Sequence, residues 1–237
     1  MRSCLIQLVI AVAVVFALLW FGLPFGASWL ATNALNAAGF TGTNTKVEVS
    51  ANLPPRILLG HADTITLTSS KVSVGDLHAA SINLTLGNVE LIDRKIGSIH
   101  GTMTGVVVPA PTGGNPLTAD SATVDGTGTS ATATLTCSNA ELKALVVSQL
   151  KAQKLNATAV TFTAPDKVTA TIGGQLKAGH LVVTNGALQA VFVGTTPSTV
   201  TLINVGNGNP IRFASVAVAG NTVTLVGTID LQTLLGL

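Results

Sequence analysis

Tyrosine is absent from this chain, aromatic residues amount to 4%, and only 9% of its 237 positions are charged. An ordinary soluble domain carries about 25% charge, so the solvated surface here has to be built largely from uncharged polar groups. Twelve Lys and Arg stand against ten Asp and Glu, a net charge of +2, and no basic cluster extends beyond Arg94-Lys95. Nucleic-acid binding is disfavoured on that ground, since phosphate neutralisation needs a cationic stripe. There are two cysteines, Cys4 and Cys137. Cys4 begins an apolar run, the two are not expected to meet, and no disulfide framework exists to indicate a compartment.

Catalytic signatures are also lacking. A reaction centre needs a nucleophile or metal, a base and a group that orients it. The sequence contains no G-x-S-x-G, and the glycines of Gly173-Gly174 and Gly206-Asn207-Gly208-Asn209 match neither phosphate-loop pattern. His61 with Asp63, and Asp76 with His78, have permissive spacing for a metal, but neither pair implies a third ligand, and solvated residues are the expected reading. His100 and His180 have no partner that spacing can name. Cys137 directly precedes a helix cap, where a thiol pKa can fall, yet nothing catalytic flanks it and a structural role is expected. The chain is therefore read as a non-enzyme with no cofactor and no metal.

What is present begins with an apolar segment. From Met1 to Leu23 the only charge is Arg2, and none follows before Lys46. About twenty apolar residues suffice to span a bilayer as a helix, and Arg2 predicts a cytoplasmic N-terminus with the remainder exported. Residues 1–26 are expected to form a membrane anchor or signal segment, and 27–237 an extracytoplasmic domain. An uncleaved single-pass anchor is preferred to a cleaved signal peptide, because neither Gly26-Ala27-Ser28 nor Thr32-Asn33-Ala34 is a compelling cleavage site. Trp20 and Trp29 are read as an interface belt, and residues 27–38 as a second short helix ending at Gly39.

From Thr45 the apolar period becomes two. Lys46 to Val49, Thr64 to Thr68 and Ser81 to Leu86 alternate, Ile96 to Val108 reads as a long strand or a pair of them, and Thr129 to Thr136 and seven short runs after residue 158 read as further strands. Pro109 to Pro116 is the clearest internal loop and a candidate linker between halves. Between the two sets of strands lies Ser138 to Lys154. Ser138 and Glu141 make a capping box, while Leu142, Leu145, Val146 and Leu150 fall on one arc at helical spacing. Gln149 and Gln153 interrupt that arc, and Val147 lies outside it.

The expected fold is α+β, a long curved antiparallel sheet wrapped around one or two amphipathic helices. Such a sheet leaves an apolar groove suited to acyl chains, unless the same side chains simply close a core. The order of features resembles the LmeA-like family of bacterial envelope phospholipid-binding proteins. The points of likeness are the hydrophobic start, the Pro55 to Gly60 knot, the alternating strands of Lys46 to Val108, and a central helix before the late pair from Pro210 to Thr228. The resemblance implies a tubular lipid-binding-like fold, with phospholipid or glycolipid bound outside the cytoplasmic membrane and a role in envelope lipid transport or maintenance. Leu142, Leu145, Val146 and Leu150 are then expected to wall the lipid site. The competing expectation is a structural or adhesive β-rich surface protein without a ligand cavity.

Overall fold

The structure, a computed structural model, describes residues 40–51, 60–74, 77–90, 93, 95–110, 114–194, 199–204 and 211–230. The expected N-terminal membrane segment, the helix over 27–38 and most of the Pro55 to Gly60 knot lie outside these residues. Among the described residues no helix is long and apolar enough to cross a membrane.

Thirteen strands and one helix make up the described fold. Strands β1 (Phe40–Ser50), β2 (His61–Val74), β3 (Leu77–Glu90), β4 (Lys95–Val108), β5 (Leu117–Thr127) and β6 (Ser130–Ser138) run as one antiparallel meander. Helix α1 (Asn139–Ala152) follows, and then a second meander of β7 (Ala157–Thr163), β8 (Lys167–Ile172), β9 (Gln175–Thr184), β10 (Ala187–Phe192) and β11 (Thr199–Ile203). The chain finally returns to the first sheet as β12 (Ile211–Ala219) and β13 (Thr222–Asp230), where β13 pairs with β6. The strands are thus divided between an eight-stranded and a five-stranded sheet instead of one long sheet. The loop beginning at Pro109 joins β4 to β5, which pair directly, so it closes a hairpin and does not link two halves.

The helix forms where the sequence places it. Ser138 is extended and its Oγ accepts the Glu141 N–H at 3.3 Å, satisfying one of the donors the first turn leaves unpaired. Leu142, Leu145, Val146 and Leu150 are each 0% exposed, and Gln149 is buried with them. The helix touches β5, β6 and β13 on one side and β7 and β11 on the other, so it fills the space between the sheets. One continuous apolar core includes residues from both sheets and the helix. Gly114 lies so close to Gln149 that a Cβ there would collide with the carboxamide, which seats the β4–β5 loop on the helix.

The in-and-out alternation of β2 to β5 flips along two lines that cross the sheet. Lys71, Ala80, Gly105 and Asp120 occupy matching positions where ladder pairing lapses. On either side of this line Ser69 and Val72, Ala79 and Ile82, Met103 and Val106, and Ala119 and Ala122 all face inward although they are three apart. Asp63, Asn88, Gly97 and Gly128 form the second line. Ala62 and Ile65, Leu86 and Val89, and Ile96 and Ile99 are inward there. Left-handed backbone marks alternate strands, at Lys71 (φ 51) and Gly105 (φ 56) on the first line and Asn88 (φ 50) and Gly128 (φ 65) on the second. Such residues act as bulges that bend strands and re-aim side chains, so the apolar face stays inward across both lines.

Between the lines the outer face is a lattice of hydroxyls. One rank runs Thr68, Asn83, Thr102, Thr123, Thr134 across five strands, and the next contains Ser70, Ser81, Thr104, Ser121, Thr136. Ser81 Oγ and Thr104 Oγ1 lie 2.7 Å apart within that second rank. This lattice is how a chain so poor in charge keeps one sheet face wet.

The edge of the large sheet at β12 is met by turns of the small one. Phe213 N–H donates to the Gly186 carbonyl at 3.3 Å, and Val218 N–H donates to the Pro165 carbonyl at 2.6 Å. Those bonds protect an edge that would otherwise invite strand pairing.

Candidate functional site

The outward flank of α1 forms the floor of an open cleft of about 800 Å³, whose rims come from Asn115 in the β4–β5 loop and Thr158 on β7. Ala140, Ala144 and Val147 supply the apolar floor, and Lys143 and Lys151 stand on it. Spacings of three and four residues put these side chains on one helical stripe. The rim is fixed by hydrogen bonds: Asn115 N–H donates to Ser148 Oγ at 2.9 Å, and Ser148 Oγ donates to the Leu145 carbonyl at 2.8 Å. Among the described residues no carboxylate lines the cleft. Lys143 and Lys151 are eight residues apart, about 12 Å along the axis, so they bracket the cleft. An extended anionic headgroup over a small apolar floor fits such an arrangement.

Leu142, Leu145, Val146 and Leu150 lie on the opposite, core-facing side and have no exposed surface. They hold the helix against both sheets, and none of them lines the cleft. The resemblance implies that the helix lysines face solvent or headgroups, but the concavity is not legible in the sequence, because the small outward stripe of Ala140, Ala144 and Val147 is ordinary for a helix. Only the docking of Asn115 and the nearness of β7 turn that stripe into a concavity.

The histidines acquire partners through strand register. His100 Nδ1 lies 3.1 Å from Asp125 Oδ2 across β4 and β5, and His180 Nδ1 lies 3.2 Å from Asp166 Oδ2. Both pairs are substantially exposed, and exposed pairs contribute at most about 1 kcal/mol. His61 pairs with Glu90 in the ladder. Among the described residues no three His, Cys, Asp or Glu side chains cluster as metal ligands.

Cys137 is 1% exposed on the inward side of β6. Burial, aided by the negative charges of Asp120 and Glu141, pushes its thiol up to about 12; the helix N-terminus does not make it reactive. Between pH 9 and 12 the unfolded chain releases this proton while the native chain keeps it, so stability falls with rising pH by at most about 1.4 kcal/mol per unit. Urea unfolding at about pH 8 and pH 10 should therefore show the wild type losing about 1.4 kcal/mol more than Cys137→Ala. Equal losses would mean that the thiol is not protected.

No protein-family profile, curated protein or solved structure matches this chain.

Proposed function

We propose that the domain binds one anionic phospholipid or glycolipid on the outer side of the cytoplasmic membrane, with its headgroup in the cleft beside α1. The observation that carries this reading is the pair of lysines on an Ala and Val floor with no opposing carboxylate. A cleft of about 800 Å³ falls in the range of small-ligand sites. The lysines bracket phosphate or another acidic headgroup group, and Ser148, Asn115 and Thr158 offer neutral hydrogen-bonding groups to its sugar or glycerol hydroxyls. The apolar N-terminal segment and the resemblance to LmeA-like proteins support the same reading, which extends to envelope lipid transport or maintenance. In this reading the large sheet and its helix correspond to the wrapped, tubular lipid-binding-like arrangement.

The test is lipid mass spectrometry of the full-length protein purified beside Lys143→Glu/Lys151→Glu. Both chains carry the same N-terminal segment, so annular lipid cancels. Anionic lipid per protein above that shared annular background should fall at least tenfold in the variant, equivalent to about 1.4 kcal/mol or more, with zwitterionic lipid unchanged. Equal anionic lipid on the two would overturn the cleft as the site.

A second reading, a structural or adhesive surface domain, is favoured by the hydroxyl lattice on the outer face and the complete closure of the core around α1. It predicts no lipid difference between the two chains.

A further inference from the structure

Among the described residues two large apolar side chains are exposed, Leu176 at 75% and Val193 at 73%. They are neighbours. The Val193 N–H donates to the Ala178 carbonyl at 2.9 Å, and Phe192 pairs with Gly179. Val193 thus stands opposite Ala178, on the outward side that alternation also gives Leu176. Both lie at the end of the small sheet where Ile172 pairs with Gln175 and Ala157 with Ile172.

The same end is cationic. Lys177 pairs with buried Ala170, on the opposite face of β9 from Leu176, and its Nζ reaches Gly194 at the same end of the sheet. Exposed Lys154 is two residues before Asn156, whose carbonyl accepts the Gly173 N–H at 2.9 Å, and Lys151 is in the last turn of α1. From Leu142 to Ile229 the only acidic residue is Asp166. Asp166 is at the opposite end of the sheet, engaged with His180.

We infer that this end of the five-stranded sheet docks on an anionic bilayer surface, with Leu176 and Val193 entering the headgroup layer and Lys154 and Lys177 facing acidic lipids. Apolar insertion backed by cations is the physical basis of peripheral membrane attachment, and each lysine near an anionic surface adds to the attraction. The occupant is specified by the one-signed charge around the patch and by the apolar N-terminal segment, which would hold the domain near a membrane. The docking end also adjoins the cleft: Thr158 follows Ala157, which pairs with Ile172, and Lys151 belongs to both. A lipid leaving the bilayer at Leu176 would have two strand spacings, about 10 Å, to cross to reach β7. This role deepens the lipid reading, but the contact itself is measured independently of cleft occupancy.

The test uses the full-length chain with Cys4→Ser, reconstituted in vesicles and labelled with a fluorophore after Leu176→Cys, Val193→Cys or, at the far end of β7, Thr163→Cys. Buried Cys137 stays unlabelled. With nitroxide-bearing lipid in phosphatidylglycerol-containing vesicles, quenching at 176 and 193 should exceed that at 163 several-fold. Phosphatidylcholine vesicles, or Lys154→Glu/Lys177→Glu, should abolish the difference. Equal quenching at the three positions would overturn the inference even if the cleft carries lipid. Protection of 176 from aqueous iodide that rises with protein concentration at fixed detergent, with no bilayer present, would overturn it in favour of a second copy of the chain. If docking is observed while cleft variants retain their lipid, the surface role stands and the cleft reading falls.

Discussion

Val146→Asp is expected to abolish the folded domain and not simply to remove a ligand. Val146 is 0% exposed on a helix held between two sheets, and each neighbour on its arc is as fully enclosed. An unpaired carboxylate there costs several kcal/mol even after relaxation, and protonation would still leave a polar group among apolar walls. Total domain stability is of the order of 5–15 kcal/mol. The expected result is loss of the cooperative thermal transition and of protease resistance. Lys143→Asp, at an exposed position on the same helix, should stay within about 0.5 kcal/mol of the wild type. A cooperatively folding Val146→Asp protein would show that the space between the sheets can open, and would return the four core residues to consideration as a ligand wall.

The second large effect lies in the small sheet. Gly179 on β9 pairs with Phe192 on β10, and a Cβ at Gly179 would collide with the Val191 carbonyl and come within 2.9 Å of Phe192 Cδ1. Phe192 is 1% exposed, so its ring has no free space to enter. Gly179→Val should therefore cost about 3 kcal/mol or more, at the upper end of overpacking penalties, because it displaces backbone as well as a side chain. Denaturant unfolding monitored by circular dichroism reads this directly. A loss under about 1 kcal/mol would mean that β10 shifts without penalty. Gly128, in a turn and with nothing near its Cβ direction, differs in kind: its constraint is the left-handed φ alone.

The helix was legible because its signals are local. Ser138 and Glu141 fix its start, and three- and four-residue spacing identifies the buried face even through Gln149. The long strands were legible for the same reason wherever alternation is unbroken, as in Thr64 to Thr68. What escaped depends on partners. Strand β5 is not legible in the sequence because Asp120, Asp125 and Gly126 weaken its pattern and the flip at Asp120 breaks its period, while its neighbours β4 and β6 define it. The two bulge lines could not be read either, since Lys71 and Asn88 adopt left-handed backbone without a glycine to mark them. The Pro109 to Pro116 stretch has the composition of a linker, and only the pairing of β4 with β5 makes it a hairpin loop. Likewise the His100–Asp125 pair is invisible until register sets the two residues side by side, and the cleft requires Asn115, the helix and β7 to meet.

The return of β12 and β13 to the first sheet has a consequence for how the molecule is made. Strand β6 has β5 on one side and β13 on the other, yet β13 emerges only after the helix and the whole second sheet. Asn139 Nδ2, at the helix start, donates to the Gly220 carbonyl 81 residues later. Closing so wide a loop carries an entropic cost, and pairings of that separation form slowly. During synthesis β6 therefore waits with an open edge, the geometry most exposed to wrong pairing. The five-stranded sheet is in this sense a timer: until it has passed, the larger sheet cannot be finished.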